Sequence, residues 1–275
     1  MQRGIAILRC PIVCTLGPLR IDLNADVGEA FGSFAGPGRG DDDARLLALV
    51  TSANVAAGFH AGDPSVLRET IRAAKAGGAA VGAHPGFPDL VGFGRREMIV
   101  TPKEAEDFVL YQIAAVAGVA AAEGMKLQHV KPHGALYNMA ARDAGLATAI
   151  VRAMAAFDRS LILFGLAGSE MLKAGRAAGL RVAAEAFADR AYEADGSLVS
   201  RRKAGAVIHD PAIVVSRAIR MAGESAVTAI DGSTLRLDVA TICVHSDTPG
   251  AADLAVRLRA GLEAAGVAVR AIGSP

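Results

Sequence analysis

Seven short apolar, strand-like runs alternate with helical segments from one end of the chain to the other. The runs cover residues 19–25, 52–56, 80–83, 127–131, 161–165, 181–186 and 241–245. Explicit helix starts and stops lie between them. Asp63 followed by Pro64 reads as an N-cap with proline in the first turn, and Gly77 and Gly78 end that helix. Thr101-Pro-Lys-Glu104 is a capping box with Pro at the first helical position, and Gly124 closes the helix it opens. Asp210-Pro211 and Thr248-Pro249 repeat the opening, and Gly179 and Gly266 read as stops. Asp41, Asp42 and Asp43 place negative charge at the start of a helix over 45–50. Strands that alternate with helices over short links run parallel, joined by right-handed crossovers.

Two architectures satisfy this alternation, an open doubly wound sheet and a closed barrel. A dinucleotide-binding open sheet carries G-x-G-x-x-G after its first strand. Here the first strand runs into Asn24-Ala-Asp-Val-Gly-Glu29, and no Walker loop follows anywhere. The spacing therefore predicts an α/β fold of the closed type, a seven-stranded (β/α) barrel. One domain over 19–275 is expected, with residues 1–18 as an extension ahead of it. The alternation breaks over 226–239, where Asp231-Gly232 between apolar runs predicts a β-hairpin insert.

Composition narrows function by exclusion. Lys and Arg total 29 against 28 Asp and Glu, so no cationic surface for nucleic acid is expected. The three cysteines, Cys10, Cys14 and Cys243, are odd in number and lack framework spacing, which reads as ordinary thiols. The longest apolar stretch, 108–122, contains Gln112 and is shorter than the roughly 20 residues of a membrane span. Arg9 interrupts the apolar part of residues 1–18, and no small-residue cleavage site stands out. A cytoplasmic protein with no membrane and no nucleic-acid partner is expected.

In α/β barrels the catalytic groups sit at the carboxyl ends of the strands, and those ends are polar here. Asp22, Asn24 and Asp26 share one face of the first strand, and Glu29 follows. Three polar groups on a buried strand are costly unless paired or liganded; the alternative is a solvated edge strand. The second strand carries Asn54 and runs to His60 between glycines, while Asp63 is expected to cap the next helix. The third ends at His84. The fourth carries His129, Lys131 and His133, with Asn138 beyond. The sixth ends at Glu185, with Arg190 beyond, and the seventh at His245. His209 stands ahead of a helix start and is expected to be structural. Such a set supports two chemistries. Imidazoles with a carboxylate hold Zn²⁺ or a similar ion, and His129 and His133 with Asp22 or Asp26 could supply that site. Metal-free acid–base work would instead set Lys131 against a developing oxyanion. Spacing leaves both open, because Pro132 breaks the register between the two histidines.

Six stretches together resemble the LamB/YcsF family, the A subunits of 5-oxoprolinase. They are Asp22-Leu-Asn-Ala-Asp-Val-Gly-Glu29, Ser52-Ala-Asn-Val-Ala-Ala-Gly-Phe-His-Ala-Gly-Asp-Pro64, Gly82-Ala-His-Pro85, Val130-Lys-Pro-His-Gly-Ala-Leu-Tyr-Asn138, Glu185-Ala-Phe-Ala-Asp-Arg190 and Ile242-Cys-Val-His245. The resemblance runs from about Arg20 to near the C-terminus. It departs at Ala57, where the family commonly has Cys, and at Ser246, where it commonly has Gly. Neither change removes an ionisable side chain.

The resemblance implies a distorted TIM-like barrel, similar to the glycoside hydrolase/deacetylase folds. It implies ATP-dependent cleavage of the 5-oxo-L-proline lactam to L-glutamate, with ADP and phosphate as products. ATP with Mg²⁺ and partner subunits B and C come with it. Under it Asp22, Asp26, His84, Lys131 and His133 would be catalytic. Lys131 would face the lactam oxygen or a phosphate, His133 or His84 would be the base, and Asp22, Asp26 or Glu29 would hold Mg²⁺ or act as base. Asn24, Glu29, Asn54, His60, Asn138, Glu185, Arg190 and His245 would bind substrate or nucleotide, with Arg190 on the substrate carboxylate. The rival readings are a stand-alone metal-dependent amidohydrolase or deacetylase, and a non-catalytic chain that binds the lactam.

Overall fold

The computed structural model describes residues 19–31, 39–201, 203–244 and 250–273. In chain order the first half runs β1 (Arg20–Val27), α1 (Arg39–Leu47), β2 (Ser52–Ala56), α2 (Pro64–Gly77), β3 (Ala80–His84), α3 (Pro102–Ala122), β4 (Leu127–Val130) and α4 (Gly134–Ala140). The second half runs α5 (Ala144–Phe157), β5 (Ile162–Leu166), α6 (Glu170–Ala177), β6 (Arg181–Phe187), α7 (Pro211–Glu224), β7 (Ala226–Thr228), β8 (Thr234–Arg236), β9 (Thr241–Val244), α8 (Ala251–Ala264) and β10 (Ala268–Val269). Seven strands pair in parallel in the order β1-β2-β3-β4-β5-β6-β9, and β9 pairs back onto β1. The sheet is therefore a closed barrel, as the alternation predicts.

The capping signals of α2, α3 and α7 work as read, whereas α1 starts at Arg39 and ends at Leu47, so residues 41–43 lie inside it and not ahead of a helix over 45–50. Asp63 accepts from the Ser65 and Val66 amides, Thr101 and Glu104 form the reciprocal box, and Asp210 accepts from Ala212. The hairpin insert is present as antiparallel β7 and β8, although its loop is longer than a two-residue turn and is stapled by Asp231 onto Ser233. The Thr248-Pro249 helix start, His245 and the 1–18 extension lie outside the described residues. Two elements lack a sequence signal: the short helix α4, and β10, which joins the start of β1 through Arg20 and Ile21.

The two parities of each strand separate two environments. One parity, including Leu23, Ala25, Val55, Val81, Ala83, Val130 and Leu163, packs outward against Ile71, Val109, Ile113, Ile150 and Leu258 of the helices. The other parity of β1 points inward, and Asp22 and Asn24 are buried, which excludes a solvated edge strand. Helix α3 is long and apolar enough to cross a membrane by length and composition alone. Here it lies along the barrel beside α5, burying Val109, Gln112, Ile113 and Val116. The Gln112 amide is consumed by both backbone groups of Gly86.

Candidate active site

The barrel interior is polar from its floor to its mouth. At the floor, Asp22 accepts hydrogen bonds from the hydroxyls of Thr51, Ser52 and Thr241. Burial pushes its carboxyl up to about 6, against the lowering effect of those hydroxyls. One layer higher, the Asn24 amide donates to Glu185 Oε1 at 2.9 Å and to Thr241 Oγ1 at 2.7 Å, and its oxygen accepts from Asn54 at 2.7 Å. His129 Nε2 donates to Asn54 Oδ1 at 2.8 Å. Burial first, and Lys131 second, hold His129 down at about 3, so it is neutral. Its ring occupies space that only glycine leaves open, since a Cβ on Gly82 would lie 2.1 Å from His129 Nε2.

Above this layer Lys131 is buried with its ammonium shared among three oxygens. They are Asn24 Oδ1 at 3.1 Å, Asp26 Oδ1 at 2.9 Å and Glu185 Oε1 at 2.8 Å. Cys243 Sγ stands 3.1 Å from the same nitrogen. Burial opposes the charge, but Asp26, Cys243 and Glu185 hold the ammonium well above its usual range. Tyr137 donates to the other Glu185 oxygen at 2.7 Å, and burial keeps both Tyr137 and Cys243 protonated. Sequence reasoning missed Tyr137 and took Cys243 for an ordinary thiol. Parity could have found the second, because Thr241 and Cys243 share the inward face of β9.

At the mouth, His84 and His133 each commit one ring nitrogen to a backbone carbonyl. His84 Nδ1 donates to Lys131 O at 2.7 Å and His133 Nε2 to Phe93 O at 2.8 Å. Their remaining nitrogens face each other at 3.0 Å. Glu29 Oε1 lies 3.1 Å from His133 Nδ1, 3.1 Å from His60 Nε2 and 3.6 Å from His84 Nε2. Burial works against a charge on Glu29, yet His133 and His60 hold its carboxyl well below the usual range. Burial and His133 push His60 down to about 3. Burial also opposes a charge on His84, but Asp26 and Glu29 raise it. The loop after β3 builds the third side. Phe93 sits at φ 54, an uncommon conformation for a bulky residue, with its ring edge-on to His60 and His133. Gly94, at φ +61, passes so close that a Cβ would lie 2.8 Å from His133 Cδ2. Asp89 holds the loop by accepting from Gly92 and Arg96.

Glu29, His60, His84 and His133 thus form a buried group whose ligand atoms all lie within 4.8 Å of one another and could hold a metal ion. This corrects the expected ligand set of Asp22, Asp26, His129 and His133. Only His133 belongs to it; Asp22 and His129 spend their polar atoms in the layers below, and Asp26 Oδ2 stands at its edge, 3.5 Å from His84 Nε2. Asp22 is likewise removed from any Mg²⁺ or base role at the mouth. A cavity of about 740 Å³ opens above, lined by Asp26, His84, Lys131, His133, Tyr137 and Asn138. Arg95, Arg142, Arg190 and Arg201 line it as well. The Arg190 guanidinium donates to Val199 O and Ala206 O, so it pins the 190–207 loop as well as facing the cavity.

A closed parallel barrel with a polar interior and a histidine–carboxylate mouth defines an α/β-barrel protein with an enzyme-like site at the strand ends. The chain belongs to the LamB/YcsF family, whose sequence profile matches residues 21–275. A Chloroflexus aggregans protein, named as the A subunit of 5-oxoprolinase, is 56% identical over 252 residues, 92% of this chain and 98% of that one. A Tolumonas auensis protein of the same name is 53% identical over 253 residues, 92% of this chain and 99% of that one. The crystal structure of a lactam utilization protein from Thermus thermophilus superposes with a TM-score of 0.85 at 49% identity, covering 92% of this chain and all of that one.

Proposed function

We propose that this chain is the A subunit of a 5-oxoprolinase, opening the lactam of 5-oxo-L-proline to L-glutamate at the barrel mouth. It works with subunits B and C in the cytoplasm and consumes ATP with Mg²⁺. One observation carries the reading: a carboxylate–lysine–histidine cluster at the base of an arginine-lined cavity, in a chain more than half identical to proteins of that name.

The chemistry fits the parts. A five-membered amide is resonance-stabilised, and phosphorylation of its oxygen activates the ring carbon toward water. The arginines supply the positive rim that a transferred phosphate requires. Water then adds at carbon, the C–N bond breaks and nitrogen takes a proton, leaving an acyl phosphate that a second water hydrolyses. Among the carboxylates of the cluster, Asp26 is the most open, with its side chain 14% exposed against 4% for Glu29 and 0% for Glu185. Its Oδ1 is held by Lys131 and Asn54 while Oδ2 is turned toward His84, so Oδ2 is the base that receives the water proton. Lys131 pairs with both Asp26 and Glu185, and Glu29 and the histidines complete the wall.

The test is 5-oxoproline-dependent ADP release by the chain reconstituted with its B and C subunits. Asp26→Asn should lose at least about 100-fold in turnover while remaining folded. Wild-type rates from Asp26→Asn would overturn the role of Asp26, and ADP release that ignores 5-oxoproline would overturn the function. The Glu29–histidine group favours one rival, a stand-alone metallo-amidohydrolase; glutamate formed by the chain alone without ATP would establish it instead.

A further inference from the structure

Hydrogen counting at the mouth leaves a surplus of lone pairs. His84 and His133 each give their N–H to a carbonyl, at Lys131 and Phe93. In the neutral rings His84 Nε2 and His133 Nδ1 are then acceptors, and they point at each other and at the Glu29 carboxylate, which only accepts. Acceptors that meet at 3.0 to 3.6 Å repel unless something positive lies between them.

The spacing matches a coordination shell. A tetrahedral ion with ligands at about 2.0–2.1 Å keeps them about 3.3 Å apart, and the three contacts among Glu29 Oε1, His84 Nε2 and His133 Nδ1 are 3.0, 3.1 and 3.6 Å. The His84 and His133 rings stand at 85° to each other, so their in-plane lone pairs can converge. His60 cannot join them in this arrangement. Its ring lies parallel to His133, 3.8 Å away and tilted by 5°, and in-plane lone pairs of stacked rings do not meet at one ion. His60 Nδ1 has no hydrogen-bond partner, whereas Nε2 faces Glu29, so the single proton of the neutral ring belongs on Nε2.

We infer that Glu29, His84 and His133 bind one divalent transition-metal ion, with His60 orienting Glu29 from behind. Two imidazoles and a carboxylate suit Zn²⁺ or an ion of similar softness better than Mg²⁺. Three protein ligands leave a coordination position open, and His84, His133 and Asp26 all line the cavity. That open position would polarise a carbonyl or acidify a water held beside Asp26. Binding itself is independent of the proposed lactam chemistry; only the use of the metal rests on that reading.

The experiment measures metal, not turnover. The full-length chain is stripped with a chelator, dialysed against Zn²⁺ or Co²⁺, and assayed for bound metal by elemental analysis and for the visible absorption of a low-coordinate Co²⁺ site. One ion per chain is expected. Glu29→Gln and His133→Ala should abolish loading. His60→Ala should retain it with about 10–100-fold weaker affinity, and His209→Ala, which removes an exposed histidine far along the chain, should retain it fully. Failure of the wild-type chain to hold metal above background, or equal loading of Glu29→Gln and wild type, would overturn the inference and leave a shared proton as the bridge. Should His133→Ala fail to fold, the near-isosteric Glu29→Gln and the Co²⁺ spectrum of the wild type still decide it. A chain that loads metal yet shows no 5-oxoproline-dependent activity with its partners sinks the proposed function and leaves the metal site standing.

Discussion

The floor and the mouth of the barrel are both buried and both polar, yet they are wired in opposite ways. At the floor each oxygen of Asp22 meets a hydroxyl, and those hydroxyls can turn to donate or accept. At the mouth the side chains of Glu29, His84 and His133 present acceptor to acceptor, with the ring donors of His84 and His133 spent on backbone carbonyls. A satisfied network rigidifies a core; an unsatisfied one is held for a ligand. The distinction separates structural from functional polarity inside a single barrel, and it can be broken by experiment.

Lys131 joins the two regions, and its loss should have the largest effect. Lys131→Met removes the ammonium shared by Asp26 and Glu185, leaving Asp26 with Asn54 and His84 and Glu185 with only the neutral donors Asn24 and Tyr137. A stability loss of about 3–5 kcal/mol is expected from urea unfolding, together with loss of turnover in the reconstituted enzyme. A variant that loses turnover without losing stability would mean that the ammonium serves the substrate alone.

Gly82→Ala tests how rigid the middle layer is. The added methyl overlaps His129, whose ring is stacked at 4.2 Å on Phe164 and bonded to Asn54. With nowhere to retreat, the site should lose about 2–3 kcal/mol, near the top of the overpacking range. A loss below about 0.5 kcal/mol would show that the layer is softer than its hydrogen bonds imply.

Asp22 gives the floor a pH signature. Its carboxyl titrates at about 6 in the folded protein against 3.8 in the unfolded chain. Between those values the folded state holds a proton that the unfolded state has released, so this group's contribution to stability falls as pH rises and levels off above about 6. The full change is on the order of 3 kcal/mol. Asp22→Asn keeps the shape without the charge, so its stability relative to wild type should grow from pH 4 to pH 7. Thermal or urea unfolding across that range checks the sign, and a constant difference would show that the hydroxyls stabilise the ionised form fully.

Periodicity and capping made the barrel legible because both are local. The strands announce their faces by parity, and α2, α3 and α7 announce their starts by a capping side chain ahead of a proline. The identities of the polar residues were legible for the same reason. Their partners were not. His129 and His133 are four residues apart and look like one site, but Pro132 turns the chain, so His129 bonds inward to Asn54 while His133 reaches Glu29. Glu29 and His60 come from different loops after different strands, and the backbone carbonyls that fix the tautomers carry no sequence signal. Even the strand end mattered: β1 runs two residues beyond its expected stop at 25, which brings Asp26 into the barrel wall opposite Asn54.

The smallest effect on stability should come from the outer rim. Arg142 pairs with Glu97 at 3.0 Å, with side chains 72% and 67% exposed. Water screens such a pair, so Arg142→Ala should change stability by no more than about 0.5 kcal/mol. The same exposure leaves the guanidinium able to exchange Glu97 for an arriving anion, unlike Arg190, whose donors are tied to Val199 and Ala206. In the reconstituted enzyme Arg142→Ala should therefore raise KM for an anionic substrate several-fold while the unfolding midpoint stays put. If KM and kcat are both untouched, recognition lies deeper, at Arg190 and the mouth cluster, and the rim is solvated surface. If stability falls as well, the rim is part of the scaffold, and the wired core extends up past the mouth cluster to the cavity's edge.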